Sequence, residues 1–234
     1  MIQQPTALPL PDWLAADVRG QSVDGVVGLP ISVNRVWWAA TLDATPYAAE
    51  LFETDNGRLN RVHLFQLGER AAESAEDARR LLWASLAWGT GRKHRLNRAR
   101  LRAVRRGEDE LSESLRQAAE VSRTSAVAAF RLMRPNRNLV KYLGPPFFTK
   151  FLYFAGGGSP AHPCLILDSL VAQALRQECG WSGLTGRYVW SADEYAAYCE
   201  LLAWWALELS GDGSRGVVRP DQLEYALFDR GRRS

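Results

Sequence analysis

A succession of capped, helix-type segments after residue 70 constrains the fold more than any other feature of the chain. The segment 74–91, "SAEDARRLLWASLAWGTG", opens with a capping Ser and an acidic first turn, and its apolar residues recur at helical spacing. Ser191 and Glu194 form a predicted capping box, and Pro220 marks another helical start. Residues 71–234 are therefore predicted to be almost entirely α-helical.

Three further segments are also expected to be helical. Residues 114–133 predict one helix that ends before Pro135, and "NLVKYL", residues 138–143, predicts a short helix. Gly144-Pro145-Pro146 predicts a tight connection, after which "FFTKFLYFA", residues 147–155, predicts the next helix.

Residues 1–70 follow a different pattern. Prolines at positions 5, 9, 11, 30 and 46 divide this region into short apolar pieces, for which short helices and edge strands are equally compatible. We expect an irregular N-terminal extension, residues 1–70, packed on one compact helical unit, residues 71–234.

Composition excludes several classes of protein. No apolar stretch approaches the length of about 18 residues needed to span a membrane, and the first residues lack the pattern of a signal peptide, so a cytoplasmic protein is expected. Cys164, Cys179 and Cys199 form no CxxC pair, which argues against a disulfide framework, a zinc site or an iron-sulfur cluster. We predict buried, reduced thiols and neither a metal nor a cofactor.

Positive charge is concentrated in residues 92–106, "RKHRLNRARLRAVRR", where eight of fifteen residues are Lys or Arg. A thin apolar stripe through this segment predicts a basic amphipathic helix. Such a helix either contacts the phosphates of DNA or presents an ordinary solvated face.

Two charged residues interrupt segments that otherwise resemble core. Lys150 lies in an aromatic run, and Asp168 follows the apolar "LIL" at the start of a predicted helix. Lys150 either extends its ammonium to water along a packed stem or acts as a nucleophile in a partly desolvated pocket. Asp168 either caps the helix or, in addition, stabilises positive charge that develops on a sugar ring.

A hairpin followed by a helix with Thr149 and Lys150, and then by Asp168 at the start of another helix, resembles the helix-hairpin-helix DNA glycosylases. The similarity is to the 8-oxoguanine branch and its bacterial relatives. It implies a mainly α, two-lobed helical bundle. It also implies that Lys150 attacks C1′ of a flipped nucleotide while Asp168 positions the lysine and stabilises the sugar cation.

The flanking segments extend the resemblance. "LLWASLAWGTGRKHR" is similar to the family's segment that fills the gap left by the flipped base, and "PDQLEYALF" resembles its last helix. The resemblance implies a base pocket formed by Phe154, Glu224 and Phe228. The residues expected to contact DNA are Trp88, Thr90, Arg92, Lys93, Arg95, Arg98 and Gly144.

Two departures from the family concern hydrogen bonding. The family's Gly-x-Gly before the lysine, whose amides hold a phosphate, is replaced by Gly144-Pro145-Pro146-Phe147-Phe148, and proline lacks an N–H donor. Glu224 occupies the position of a base-reading Gln. An ionised Glu224 can only accept hydrogen bonds, which suits the N1–H and N2–H₂ edge of guanine or the exocyclic amine of cytosine.

The sequence therefore predicts a monomeric DNA glycosylase, with or without AP lyase activity, in the cytoplasm and associated with the nucleoid. Its expected partner is double-stranded DNA with a damaged purine, foremost 8-oxoguanine. Two alternatives remain open at this point. The enzyme excises another modified base, such as a modified cytosine in foreign DNA, or the chain is a catalytically silent DNA-binding module of the same fold.

Overall fold

The computed structural model describes residues 8–42, 57–94, 96–105, 108–185, 188–211 and 216–233. These residues form twelve helices and one small sheet. The helices are α1 (Asp12–Arg19), α2 (Val23–Val27), α3 (Arg35–Leu42), α4 (Arg61–Arg70), α5 (Ala75–Thr90), α6 (Asn97–Arg105), α7 (Glu108–Ser122), α8 (Ala126–Met133), α9 (Pro145–Phe154), α10 (Ser169–Glu178), α11 (Ala192–Ser210) and α12 (Pro220–Arg233). Strands β1 (Ile31–Ser32) and β2 (Arg58–Leu59) pair antiparallel, with Ile31 opposite Leu59. The predicted mainly α fold is confirmed.

Local capping signals placed several helix ends correctly. The Ser74 side chain accepts a hydrogen bond from the Asp77 amide at the start of α5. Ser191 and Glu194 form both hydrogen bonds of the capping box at the start of α11. Pro220 is the first residue of α12. Each of these signals lies within three residues of the helix start, so the local sequence is enough to predict where the helix begins.

The predicted helix over residues 114–133 is wrong, because the chain turns between α7 and α8. The Ser125 hydroxyl accepts a hydrogen bond from the Ala128 amide and starts α8. Arg123, in the turn, donates to the carbonyl oxygen of Glu69 over 2.6 Å. The break therefore lets this arginine bind the carbonyl end of α4.

The region before Lys150 also differs from expectation. Residues 138–143 form turns rather than the predicted short helix, and Tyr142 has a φ of 69°. The buried Arg100 donates from Nε to the Tyr142 carbonyl oxygen over 2.8 Å and holds this turn. Pro145 and Pro146 are not a connection but the first two residues of α9, where their missing N–H groups cost no helical hydrogen bond.

The basic helix is shorter than predicted, since α6 begins at Asn97 and not at Arg92. Asn97 is fully buried and donates to the Thr90 hydroxyl over 3.0 Å, which ties α6 to the end of α5. Arg92 and Lys93 therefore lie in the connection between the two helices and are exposed.

Helix α9 lies at the centre of the core, with Phe148, Phe151 and Phe154 fully buried. It packs against α4, α5, α7 and α8, while α12 packs against α10, α11 and α1. The three cysteines are buried, as predicted. Among the described residues, no helix combines the length and the apolar character that crossing a membrane requires.

Candidate active site

A cavity of about 300 Å³ opens between α5, α9 and α12. This volume lies at the lower end of the usual range for small-molecule sites. Its lining residues come from both halves of the chain, and they are Val26, Leu29, Ile31, Arg61, Trp88, Gly89, Thr90, Gly91, Lys150, Ile166, Asp168, Glu224, Tyr225 and Phe228.

Lys150 is buried, with only 7% of its surface exposed, and its amine reaches the cavity wall. Nζ donates to the carbonyl oxygen of Pro146 over 2.7 Å and lies 3.5 Å from Oδ2 of Asp168. The lysine stem passes along Gly89, where an added Cβ would lie 2.9 Å from Lys150 Cδ. The amine is thus held inside the protein rather than extended into water.

Asp168 is the N-cap of α10, and its two carboxylate oxygens have different partners. Oδ1 accepts hydrogen bonds from the amides of Leu170 and Val171 at 3.0 and 3.2 Å. Oδ2 faces Nζ of Lys150. The carboxylate therefore caps the helix and pairs with the lysine at the same time.

Thr149 joins the two segments that carry this pair. Its hydroxyl donates to the Pro145 carbonyl over 2.7 Å and accepts from the Leu167 amide over 3.2 Å. Thr149 is fully buried, so the hydroxyl has no competing water. Because Leu167 directly precedes Asp168, this contact fixes Asp168 relative to α9.

Glu224 reaches the cavity from α12 and is paired with Arg61, a residue that the sequence analysis missed. Arg61 donates from one guanidinium nitrogen to Oε2 of Glu224 over 2.7 Å, and both side chains are buried. Burial raises the pKa of Glu224, and the Arg61 charge opposes that rise. Arg61 opens α4 at 163 residues from Glu224, so no local pattern could have linked them.

The Arg61–Glu224 pair belongs to a longer buried chain of hydrogen bonds. Arg61 also donates to the Tyr153 hydroxyl over 3.0 Å, and this hydroxyl donates to Oδ2 of Asp221 over 2.8 Å. Arg219 donates two hydrogen bonds to Asp221, at 3.0 and 2.8 Å. Each buried carboxylate in this series has an arginine beside it, Glu224 next to Arg61 and Asp221 next to Arg219, which is the pairing that buried charges need.

Aromatic rings form two parts of the cavity wall, but one of them is not the predicted residue. Phe228 lines the cavity. Phe154 does not line it; its fully buried ring contacts the ring of Trp88, which does line the cavity, with the two ring centroids 5.3 Å apart. The structure therefore puts Trp88 at the wall predicted for Phe154.

The chain matches the family described as "putative 8-oxoguanine DNA glycosylase OGG-like protein" over residues 24–228. The chain belongs to this OGG-like family. No curated protein and no solved structure matched it. Membership in a DNA glycosylase family identifies DNA as the partner.

The residues that the family resemblance implies as DNA contacts lie in different environments. Arg92, Lys93 and Arg98 are exposed around the start of α6, and none of the three pairs with an acidic side chain of the described residues. Thr90 is buried and donates to the Leu86 carbonyl over 2.7 Å, although it also lines the cavity. Arg95 lies outside the described residues.

The start of α9 has few backbone N–H groups that could donate hydrogen bonds to a phosphate. Gly144 is the N-cap, and the next two residues are prolines without N–H groups. The amides of Phe147 and Phe148 both donate to the Gly144 carbonyl, at 2.9 and 3.1 Å. Among residues 144–148, Gly144 alone has a backbone N–H that does not donate to a carbonyl oxygen at the start of α9.

Among the described residues, no group of three or more His, Cys, Asp and Glu side chains could hold a metal ion.

Proposed function

We propose that this protein is a DNA glycosylase that flips a damaged purine, foremost 8-oxoguanine, out of duplex DNA and excises it with Lys150 as nucleophile. One observation carries the proposal: the Lys150 amine lies 3.5 Å from a carboxylate oxygen of Asp168 in a cavity that Glu224 and Phe228 also line. This combines a nucleophile, a stabilising charge and a site for a planar base.

The chemical steps follow from this arrangement. The neutral amine of Lys150 attacks C1′, the glycosidic bond breaks with its electron pair leaving on the base, and the proton that the lysine nitrogen then loses passes to the departing base. Oδ2 of Asp168 stabilises the positive charge that develops on the sugar. The electron pair of the resulting secondary amine then forms the C1′=N bond of a protonated Schiff base while the C1′–O4′ bond breaks and O4′ takes up a proton. Loss of the C2′ proton and of the 3′ phosphate then cleaves the strand, which is the AP lyase step.

Recognition of the base would use the opposite wall of the cavity. The flipped ring lies between Trp88 and Phe228, and Glu224 accepts hydrogen bonds from its N–H groups. Arg92, Lys93 and Arg98 contact phosphates of the duplex.

Borohydride trapping tests the nucleophile directly. Incubation of the protein with duplex DNA that contains 8-oxoguanine, in the presence of borohydride, is expected to yield a covalent protein–DNA adduct. Lys150→Gln should abolish the adduct. Absence of an adduct for the unaltered protein, or its persistence in Lys150→Gln, rejects the lysine mechanism.

A second candidate function changes only the target base. An ionised Glu224 also suits the exocyclic amine of a modified cytosine, which foreign DNA can contain. Release assays with a panel of duplexes, each with one lesion or modified base, distinguish the two targets. A catalytically silent module would release none of these bases and would retain duplex binding that weakens with salt.

A further inference from the structure

The Arg61–Glu224 pair lines the cavity, and neither the chemistry at Lys150 nor the aromatic walls explain it. We infer that Arg61 is a positioning residue that keeps Glu224 ionised and oriented, so that the cavity selects a base with two adjacent N–H donors. This inference rests on the proposed glycosylase function and adds to it a determinant of base choice.

Arg61 binds only one of the two carboxylate oxygens of Glu224. Arg61 binds Oε2 of Glu224, whereas Oε1 has no hydrogen-bond partner among the described residues. Glu224 lines the cavity, and each carboxylate oxygen can accept more than one hydrogen bond. The carboxylate can therefore accept from a base without releasing Arg61.

Arg61 itself has little freedom to do anything else. Arg61 is 3% exposed, and its guanidinium donates to both Glu224 and Tyr153 and lies 5.6 Å from the ring centroid of Trp88. Tyr153 is in turn fixed by Asp221. An arginine held by these three contacts behind a carboxylate acts on the substrate through that carboxylate.

Charge explains why such support is needed. A buried carboxylate without a cation tends to take up a proton, and a protonated Glu224 would donate where it should accept. Burial raises the pKa of Glu224, and Arg61 opposes this. The ionisable groups that act on Glu224 from neighbouring elements are Arg61 on α4, Lys150 and Tyr153 on α9, Asp168 before α10 and Tyr198 on α11.

The chemistry of the bases then defines the substrate class. On its Watson–Crick edge, guanine presents N1–H next to N2–H₂, whereas adenine, cytosine and thymine each present a single donor group there. An ionised carboxylate can accept from both guanine donors at once. Loss of the 2-amino group removes one hydrogen bond to a charged acceptor, which predicts at least about a tenfold loss of release.

Two comparisons test the inference by single-turnover base release. First, the unaltered protein should release 8-oxoguanine at least about ten times faster than 8-oxohypoxanthine, which lacks the 2-amino group. Second, Arg61→Met should release 8-oxoguanine with a new pH dependence, in which the rate falls as pH decreases, because loss of the Arg61 charge leaves burial to raise the pKa of Glu224 further. The unaltered protein should lack this additional pH dependence.

Three variants separate positioning from a merely structural role. Arg61→Lys keeps the charge and should restore the pH profile of the unaltered protein. Tyr153→Phe removes another partner of Arg61 without touching Glu224, so it should not produce the new pH dependence. Glu224→Gln cannot ionise and should abolish the dependence in an Arg61→Met background.

The outcomes also separate this inference from the proposed function. If the unaltered protein releases no base, the proposed function fails. Infrared difference spectra of the carboxyl groups then test the inference, which expects Glu224 to be ionised in the unaltered protein and protonated in Arg61→Met. If bases are released but 8-oxoguanine and 8-oxohypoxanthine leave equally fast, the inference is overturned and the glycosylase stands. Equal, pH-independent losses in Arg61→Met and Arg61→Lys also overturn it. If Arg61→Met does not fold, the comparison of the two bases decides.

Discussion

One oxygen of Asp168 caps α10 while the other lies 3.5 Å from the amine of Lys150. The helix N-terminus thus fixes the carboxylate, and the carboxylate faces the lysine. The two interpretations that the sequence left open for Asp168 are compatible, because they use different atoms.

The two roles of Asp168 can be separated by two substitutions. Asp168→Asn keeps a capping oxygen but removes the charge, so base release should fall about 10²–10³-fold with little change in stability. Asp168→Ala also removes the cap and should lower the free energy of unfolding by about 1 kcal/mol. Single-turnover release and urea unfolding of both variants measure the two effects. Equal stability of the two variants would contradict the capping role.

Gly89 lies against the stem of Lys150, so we expect Gly89→Ala to displace the amine. The added Cβ would lie 2.9 Å from Lys150 Cδ and 3.3 Å from Cε. Misplacement of a reacting group by about 1 Å can cost about 10²-fold in rate, and we predict slower base release with unchanged duplex affinity. Gly183→Ala is the matched control, because nothing lies within 4 Å of its added Cβ. Unimpaired release in Gly89→Ala would show that the stem can shift without consequence.

Thr149 tests whether the contact between α9 and the segment before Asp168 matters for rate. Thr149→Val keeps the approximate shape but leaves the Leu167 amide without its partner, at a cost of about 1–3 kcal/mol in unfolding free energy. The maximal rate of release should fall while the concentration for half-maximal rate stays constant. Thr149→Ser keeps the hydroxyl and should preserve both values.

Short-range signals explain most of what the sequence predicted correctly. Ser74 and Ser191 mark helix starts through hydrogen bonds with residues three positions away, and Pro220 marks one through its fixed φ. The turn at Arg123 escaped prediction because its arginine binds carbonyl oxygens of Gly68 and Glu69, more than 50 residues distant. Local helix propensity on both sides of the turn concealed it.

Long-range packing explains what was missed in the candidate site. Arg61 was assigned to an irregular extension, yet it pairs with Glu224 across 163 residues. Phe154 was expected at the wall, but Trp88 on α5, whose ring contacts that of Phe154, lines the cavity instead. Periodicity indicates that a side chain faces inward, whereas its neighbours decide whether it reaches a cavity. The boundary at residue 70 stays a prediction.

The exposed cations around the start of α6 should set the salt dependence of duplex binding. Each phosphate contact contributes about 0.9 to the slope of log affinity against log salt concentration. Combined alanine substitution of Arg92, Lys93 and Arg98 should reduce that slope by about 2–3, and a fluorescence anisotropy titration at several salt concentrations measures it. Arg19→Ala, an exposed change on α1, is the control. An unchanged slope in the combined variant would place the duplex elsewhere.

His162 should make the protein sensitive to acid. Burial lowers its pKa to about 4, and the ring contacts the Leu152 carbonyl through Nε2 over 2.8 Å. In the unfolded chain the histidine has the ordinary pKa near 6.5, so the unfolded chain binds a proton first as pH falls. The free energy of unfolding therefore decreases by up to about 3 kcal/mol between pH 6.5 and 4.

His162→Gln tests this expectation, because glutamine can donate to the same carbonyl but cannot become charged. The unfolding free energies of the two proteins should therefore differ by a constant above about pH 7.5 and shift in favour of the variant at lower pH. His63, whose pKa is also lowered by burial, is present in both proteins and cancels in the difference. Parallel curves across the whole range would exclude His162 as the acid-sensitive group.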